Sequence, residues 1–297
     1  MRKETFMKSC TLCPRECRID RESGTLGYCG VGSEIYIARS APHYWEEPCL
    51  SGTNGVGAVF FSGCSLRCVY CQNYEVSHSA LGRKISDGEL YENMLSLARS
   101  GVHCLDLVTP THYTDRLVPL LERLRGEIGI PIVWNSSGYE KVETLRGLDG
   151  LVDIYLPDFK YASGELAARY SDAPDYPDVA AAALAEMHRQ VGKAVFDNEG
   201  MMKKGVIVRH LVLPGCRRDS VAVLHKIAET VDPCQIKLSL MSQYTPDFAK
   251  NSPFRELHRR ITTFEYDSIL KAVDELGFDG WFQERSSADK KYTPDFE

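Results

Sequence analysis

Cys64, Cys68 and Cys71 stand in the run GCSLRCVYCQN, with three residues between the first pair and two between the second. Three thiolates this close can hold three irons of a [4Fe–4S] cluster and leave the fourth iron open for chemistry. A packed core has no use for that spacing, and a structural zinc wants a fourth ligand. The nearest candidate, His78, lies seven residues past Cys71, outside the short spacing of zinc knuckles. A second group, Cys10, Cys13, Cys17 and Cys29, occupies the polar segment CTLCPRECRIDRESGTLGYC. So short and polar a piece needs a metal to hold it together. Four thiolates suit a tetrahedral zinc or a second iron–sulfur cluster equally well. Cys49, in EEPCLSG, is a candidate to replace or supplement one of them.

The elements that must position these groups follow from the apolar pattern. From Val56 onward short apolar runs alternate with amphipathic stretches, the rhythm of βα units and a parallel sheet. The spacing predicts strands at Val56–Phe61, Cys104–Thr109, Pro131–Asn135, Leu151–Leu156, Gly205–Leu213, Ile236–Leu240 and, more weakly, Gly277–Phe282. Helices are expected after a capping box at Ser86 and Glu89, over Tyr113–Arg125, at Ala162–Arg169 and Ala180–Arg189, and over Thr262–Leu276. The fold class is therefore α/β, a partial barrel of parallel strands behind a small cysteine-rich segment. The expected units are a metal-binding head at 1–50, the barrel at 51–285 and a tail or pocket cap at 286–297. Tyr170 to Val179, proline-rich and acidic, reads as an irregular loop suited to a lid or to docking a macromolecule, or as a plain surface connection.

A chain of 297 residues with 43% apolar content can bury a large core. Eleven cysteines and no apolar leader at the N-terminus point to a reducing cytoplasm rather than a secreted disulfide scaffold. The formal charge of −6 gives no reason to expect a nucleic-acid partner, and no run is apolar enough to span a bilayer.

The cysteine triplet, with Gly63 before it and Tyr70 to Asn73 around its end, resembles the signature of the radical SAM superfamily. The segments VTPTHYT, NSSGY, DIYLPDFKY and RHLVLPG resemble loop motifs of the pyruvate formate-lyase activating enzyme group, particularly relatives with cysteines ahead of the cluster motif. The resemblance implies a partial (β/α)6 barrel, a [4Fe–4S] cluster on Cys64, Cys68 and Cys71, and S-adenosylmethionine chelated at the open iron. An electron from the cluster would release a 5′-deoxyadenosyl radical that abstracts a hydrogen atom. An electron donor such as flavodoxin or ferredoxin, and a glycyl radical enzyme or a peptide as substrate, are the partners so implied.

Polar residues collect where the predicted strands end, the mouth at which parallel barrels build their sites. Many superfamily members carry Gly-Gly-Glu after the second strand, whereas this chain reads Thr109-Pro110-Thr111-His112. Thr109 or Thr111 can accept from the methionyl amine or cap the following helix. His112 is a candidate for a role near the radical, for capping or for a solvent-facing site. By resemblance, Asp158 and Lys160 position S-adenosylmethionine and substrate, against the simpler reading of a surface salt bridge. Asp153, in a predicted strand, needs a partner and is a pocket or ion-pair candidate. Asn135, Ser136 and Ser137 can reach ribose hydroxyls or the methionyl carboxylate, Tyr70 flanks the cluster, and Gly215 can lie against adenine. Arg209 resembles the arginine that approaches the cofactor in activating enzymes, and only one of Arg209 and His210 can face inward.

Two other readings stand beside the activase: a radical enzyme acting on a peptide or small metabolite, and a non-catalytic iron–sulfur or zinc protein. A protein partner predicts an open mouth with docking near Tyr170 to Val179, and a small substrate predicts a closed polar cavity. The pentapeptide YTPDF occurs at Tyr244–Phe248 and again at Tyr292–Phe296. The first copy belongs near the site's rim, and the second is a tail or a cap.

Overall fold

Short runs of β-branched and aromatic residues that are apolar on both faces form parallel strands buried on both sides. A computed structural model describes residues 8–78 and 81–283 of the chain. The strands are β1 (Ile35–His43), β2 (Val56–Phe61), β3 (Arg83–Ile85), β4 (Leu105–Val108) and β5 (Ile132–Ser136). They continue as β6 (Ile154–Pro157), β7 (Val195–Phe196), β8 (Met202–Leu211), β9 (Lys237–Met241) and β10 (Gly280–Phe282). The sheet runs β10-β9-β8-β6-β5-β4-β2-β1-β3, with β7 paired to β8. From β2 through β10 the path is parallel, and β1, β3 and β7 are antiparallel additions.

Strand alternation splits the core in two. Val59, Phe61, Leu107, Trp134, Tyr155, Val206 and Leu238 pack toward the helices. Val56, Ala58, Phe60, Val133, Leu156 and Ile207 build a smaller core on the opposite, inner face. Each fully buried large apolar side chain contributes about 1.5–3 kcal/mol, so the helix-side core dominates stability. Along the inner face the period of two carries on past the apolar residues. Asp106 follows the inner row of β4, Asn135 that of β5, Asp158 that of β6, Arg209 that of β8 and Ser239 that of β9. The polar ends of five strands therefore converge on one side of the sheet.

The predicted strands and the capping box at Ser86 and Glu89 are present, with ends displaced by up to three residues. Ile35–His43, assigned from sequence to the head, pairs antiparallel with β2, so only the residues before it stand apart from the sheet. Tyr170 to Val179 is not a loop. Helix Gly164–Ser171 ends inside it and helix Tyr176–Val191 begins in it, with Pro177 in the first turn, where a missing N–H does no harm. Tyr170, Ala173 and Tyr176 are buried and anchor the segment, while Asp172, Pro174, Asp175 and Asp178 are exposed. The expected tail at 286–297, with the second YTPDF copy, lies outside the described residues.

Candidate active site

Cys64, Cys68 and Cys71 leave the C-terminal end of β2 and line one cavity of about 190 Å³. Gly63, at φ 88°, starts this loop, and a Cβ there would stand 2.6 Å from the Cys29 carbonyl. Tyr70, Thr109, Asn135, Ser137, Asp158, Lys160 and Arg209 share the same walls, as do Tyr244 and Phe248 of the first YTPDF copy. Thr109 holds φ 58°, a left-handed conformation costly for a β-branched residue, at the point where β4 meets the cavity.

A buried charge network lies across the cavity from the thiols. Lys160 Nζ donates to Asp158 Oδ2 at 2.6 Å, and Arg209 Nε donates to Asp158 Oδ1 at 3.0 Å. Arg209 also reaches Asn135 Oδ1 at 2.6 Å and Glu46 Oε2 at 3.4 Å. Burial alone would raise the Asp158 carboxyl, but the Lys160 and Arg209 cations outweigh it and hold it below the usual range. Burial likewise works against the Lys160 charge, and Asp158 with the neighbouring Cys68 overcomes it, so the ammonium is held firmly. Arg209 faces the cavity, whereas His210 turns away and its Nδ1 pairs with the Phe159 carbonyl at 2.7 Å.

Polar contacts reach each sulfur. Leu66 N–H donates to Cys64 Sγ at 3.4 Å, Ser77 Oγ to Cys71 Sγ at 3.3 Å and Ser171 Oγ to Cys68 Sγ at 3.0 Å. Behind Ser171 runs a hydroxyl chain: Tyr161 lies 2.7 Å from Ser171 Oγ, and Tyr70 lies 2.6 Å from Tyr161. Each hydroxyl has one proton, so donation to Cys68 orders the chain from Tyr70 through Tyr161 to Ser171. Burial pushes the Cys71 thiol up to about 11 and also raises Cys64 and Cys68. Sheltered thiols carrying sulfur-directed donors fit an iron–sulfur cluster, which takes the place of their protons.

Several expected residues stand elsewhere. Thr111 Oγ1 donates to Glu140 at 2.8 Å in the core and does not line the cavity. His112 is buried beneath the cysteine loop, its Nε2 2.8 Å from the Ser62 carbonyl, so it supports the loop rather than meeting a substrate. Gly215 donates its N–H to Glu265 at 2.8 Å and lines a separate surface groove, not the cavity. Asp153 pairs with Arg125 at 2.8 Å, the ion-pair alternative. Cys49 packs in the inner-face core, apart from the head. Glu46, Glu47, Tyr161 and Ser171 belong to the neighbourhood and carried no sequence signal.

The four head cysteines are gathered. Cys29 and Cys17 Sγ lie 3.3 and 3.4 Å from the point a Cβ on Gly27 would occupy, and all four sulfurs interact electrostatically. Among the described residues, no three Cys, His, Asp or Glu side chains close on a point as ligands of a single ion would. The head grips the cysteine loop: Arg15 Nε donates to the Ser65 carbonyl at 2.8 Å and Arg15 Nη2 to the Ser171 carbonyl at 3.2 Å. Cys64 N–H donates to the Cys29 carbonyl at 3.2 Å.

The family model of the radical SAM superfamily matches residues 58–204, a span that begins in β2 and contains the three cavity thiols. The chain carries a radical SAM domain. An uncharacterized protein of Methanocaldococcus jannaschii is 28% identical over 285 residues, covering 93% of this chain and 77% of that protein. A putative glycyl-radical enzyme activating enzyme of Haemophilus influenzae is 29% identical over 118 residues, 37% of this chain and 43% of that protein. Among solved structures, Streptococcus suis SuiB bound to precursor peptide SuiA superposes with a TM-score of 0.50 at 12% identity. That match covers 76% of this chain and 48% of SuiB, and it speaks for the fold alone. A radical SAM domain implies a [4Fe–4S] cluster and S-adenosylmethionine. Among the described residues no helix is long and apolar enough to cross a membrane.

The Ser171 contact leads to a prediction about this radical SAM domain. Ser171→Ala removes a hydroxyl donor from Cys68 Sγ, and hydrogen bonds to cluster sulfurs favour the reduced, more negative state. With the cluster loaded, its midpoint potential is expected to fall by roughly 20–60 mV, the equivalent of about 0.5–1.5 kcal/mol for one electron. Redox titration followed by electron paramagnetic resonance checks it, and an unchanged potential would detach Ser171 from the cluster.

Proposed function

We propose that this chain cleaves S-adenosylmethionine reductively at a [4Fe–4S] cluster held by Cys64, Cys68 and Cys71 and takes a hydrogen atom from a substrate. The observation that carries this reading is the single cavity shared by the three thiols and the Asp158, Lys160 and Arg209 network. When bound, cluster and S-adenosylmethionine together supply the electron and the carbon radical. The chain's residues do the placing and the shielding. Lys160, anchored by Asp158, presents a fixed cation to a carboxylate. Arg209 orients Asn135, which with Ser137 and Thr109 offers polar groups to ribose and amine. Phe60, Phe61, Tyr70 and Val108 keep water from the reacting atoms.

We assign Cys10, Cys13, Cys17 and Cys29 to a metal, either zinc or a second cluster. A second cluster serves electron entry from a flavodoxin or ferredoxin, whereas zinc has no redox chemistry and serves structure. Cysteine usage and cluster chemistry suit a reducing cytoplasm. Two finer readings of the substrate stand. The partial match to a putative activating enzyme supports activation of a glycyl radical enzyme. A polar chamber beside the cavity favours a peptide or small metabolite, and the geometry supports this second reading better.

Anaerobic purification and reconstitution, with iron, sulfide, zinc and released 5′-deoxyadenosine all measured, tests the proposal. Nucleoside release under strong reductant is expected. About four irons with one zinc would make the head structural, and about eight irons would make it a second cluster. A fully loaded, reducible protein that releases no nucleoside overturns the reading and leaves a non-catalytic metal protein.

A further inference from the structure

Beside the cysteine cavity lies a second chamber of about 390 Å³, with Phe60, Asn73, Asn135, Arg209 and Met241 common to both walls. Glu46 and Glu47, from the turn after β1, face into it together with Ser239. Trp45, Trp281 and Phe282 stand at its sides, and Trp45 and Phe282 remain 58% and 39% exposed, as a rim would be.

The charges in and behind this chamber do not balance. Four carboxyls, Glu46, Glu47, Asp106 and Asp158, meet two cations, Arg209 and Lys160. Lys160 and Arg209 both serve Asp158, and Arg209 also reaches Glu46. Asp106, behind the chamber, is hydrogen-bonded by Asn135 at 3.2 Å, and burial raises its carboxyl well above the usual range. Asp106 Oδ1 and Glu47 Oε2 are the buried carboxyl oxygens here without a hydrogen-bond partner, and of the two residues Glu47 lines the chamber. Glu47 is 8% exposed, Ser239 and Glu46 share hydrogen bonds with its carboxyl while its Oε2 has no hydrogen-bond partner, and burial pushes the group up to about 7. Arg209 is the one Lys or Arg among the chamber's described lining residues, and His43, whose own pKa burial lowers, adds no charge.

We propose that the chamber binds the protonated alkylamine of the substrate, with Glu47 Oε2 as its acceptor and Trp45 and Trp281 as its aromatic walls. A buried carboxyl oxygen lacking a partner is satisfied by a cation that donates to it and holds the group ionised, and indole faces stabilise the same cation on the way in. The shared walls place such a substrate beside the cysteine cavity, so the carbons next to the amine face the reacting side. The ammonium has two sources, a lysine side chain within a peptide or a free small-molecule amine. This inference rests on the reading of the chain as a radical SAM enzyme.

The test uses the reconstituted holoenzyme with S-adenosylmethionine present. n-Butylammonium, n-butanol, butyrate and an acetylated Gly-Lys-Gly amide are titrated by calorimetry, with tryptophan fluorescence as a second readout. Two of the chain's three tryptophans line the chamber. n-Butylammonium is expected to bind while butanol and butyrate do not, and Glu47→Gln is expected to weaken binding at least tenfold. Glu47→Gln is nearly isosteric and removes a charge that burial penalises, and a melting curve checks that it folds. Tighter binding of the peptide than of the free amine assigns the lysine source, and the reverse assigns a small-molecule amine. Equal binding of amine and alcohol, preference for butyrate, or undiminished binding in folded Glu47→Gln overturns the proposal. S-adenosylmethionine cleavage is followed in the same samples, so failure of the amine inference is distinguishable from failure of the radical reading.

Discussion

Cys64→Ser is expected to lower 5′-deoxyadenosine release by more than about a hundredfold, beyond the ~10–100-fold typical of losing an outer-shell partner of a metal site. A serine hydroxyl is a poor ligand for iron, and Leu66 N–H would lose the sulfur it donates to. Iron content should fall by about one cluster while the remainder of the chain stays folded, because Cys64 is one side chain at the edge of the large helix-side core. The measurement is nucleoside release and iron per chain after identical reconstitution. Release at the wild-type rate would remove Cys64 from the site.

Asp158→Ala is expected to act on both stability and binding. It leaves Lys160 and Arg209 without their common partner, and stranding buried cations costs roughly 3 kcal/mol, the low end for a broken buried pair because both side chains keep 17–18% of their surface accessible. Thermal denaturation reads this as a markedly lower Tm, and S-adenosylmethionine affinity should fall with it as Lys160 loses its anchor. The pH dependence has a definite sign. Asp158 is held below its ordinary value in the folded chain, so its stabilisation is present above the unfolded carboxyl value and is lost as pH falls through the lowered folded one. In Asp158→Ala the acid-side loss of stability should shrink. A variant that melts and binds like the wild type would make the network incidental.

The parallel sheet and the cysteine cavity were legible because their signals are local. Val56–Phe61 announces itself as a buried strand by six consecutive residues, and the thiol spacing of Cys64, Cys68 and Cys71 is a feature of eight. Strand alternation required that only one of Arg209 and His210 face inward, the resemblance pointed to Arg209, and Arg209 is the one on the cavity wall. What stayed hidden depends on partners far apart in the chain. Ser171 meets Cys68 across 103 positions, and Glu46 meets Arg209 across 163, so neither has a neighbour in sequence to betray it. His112 and Thr111 misled for the opposite reason: polar residues after a strand usually face the mouth, but here one short helical turn, Thr111–Tyr113, rotates them into the core. Tyr170 to Val179 misled because proline and aspartate look like loop, whereas Pro177 opens a helix and two tyrosines fill the space beneath the cysteine loop.

Arg15 donates to three carbonyls, that of Ser65 in the cysteine loop and those of Ser171 and Asp172 at the end of the helix that serves Cys68. One guanidinium from the head thus fastens the two segments that frame a single sulfur. On the proposed reading of the head as a metal site, linkage makes such a fastening reciprocal: ordering residues 10–29 and loading the cysteine loop change each other's equilibrium by the same factor.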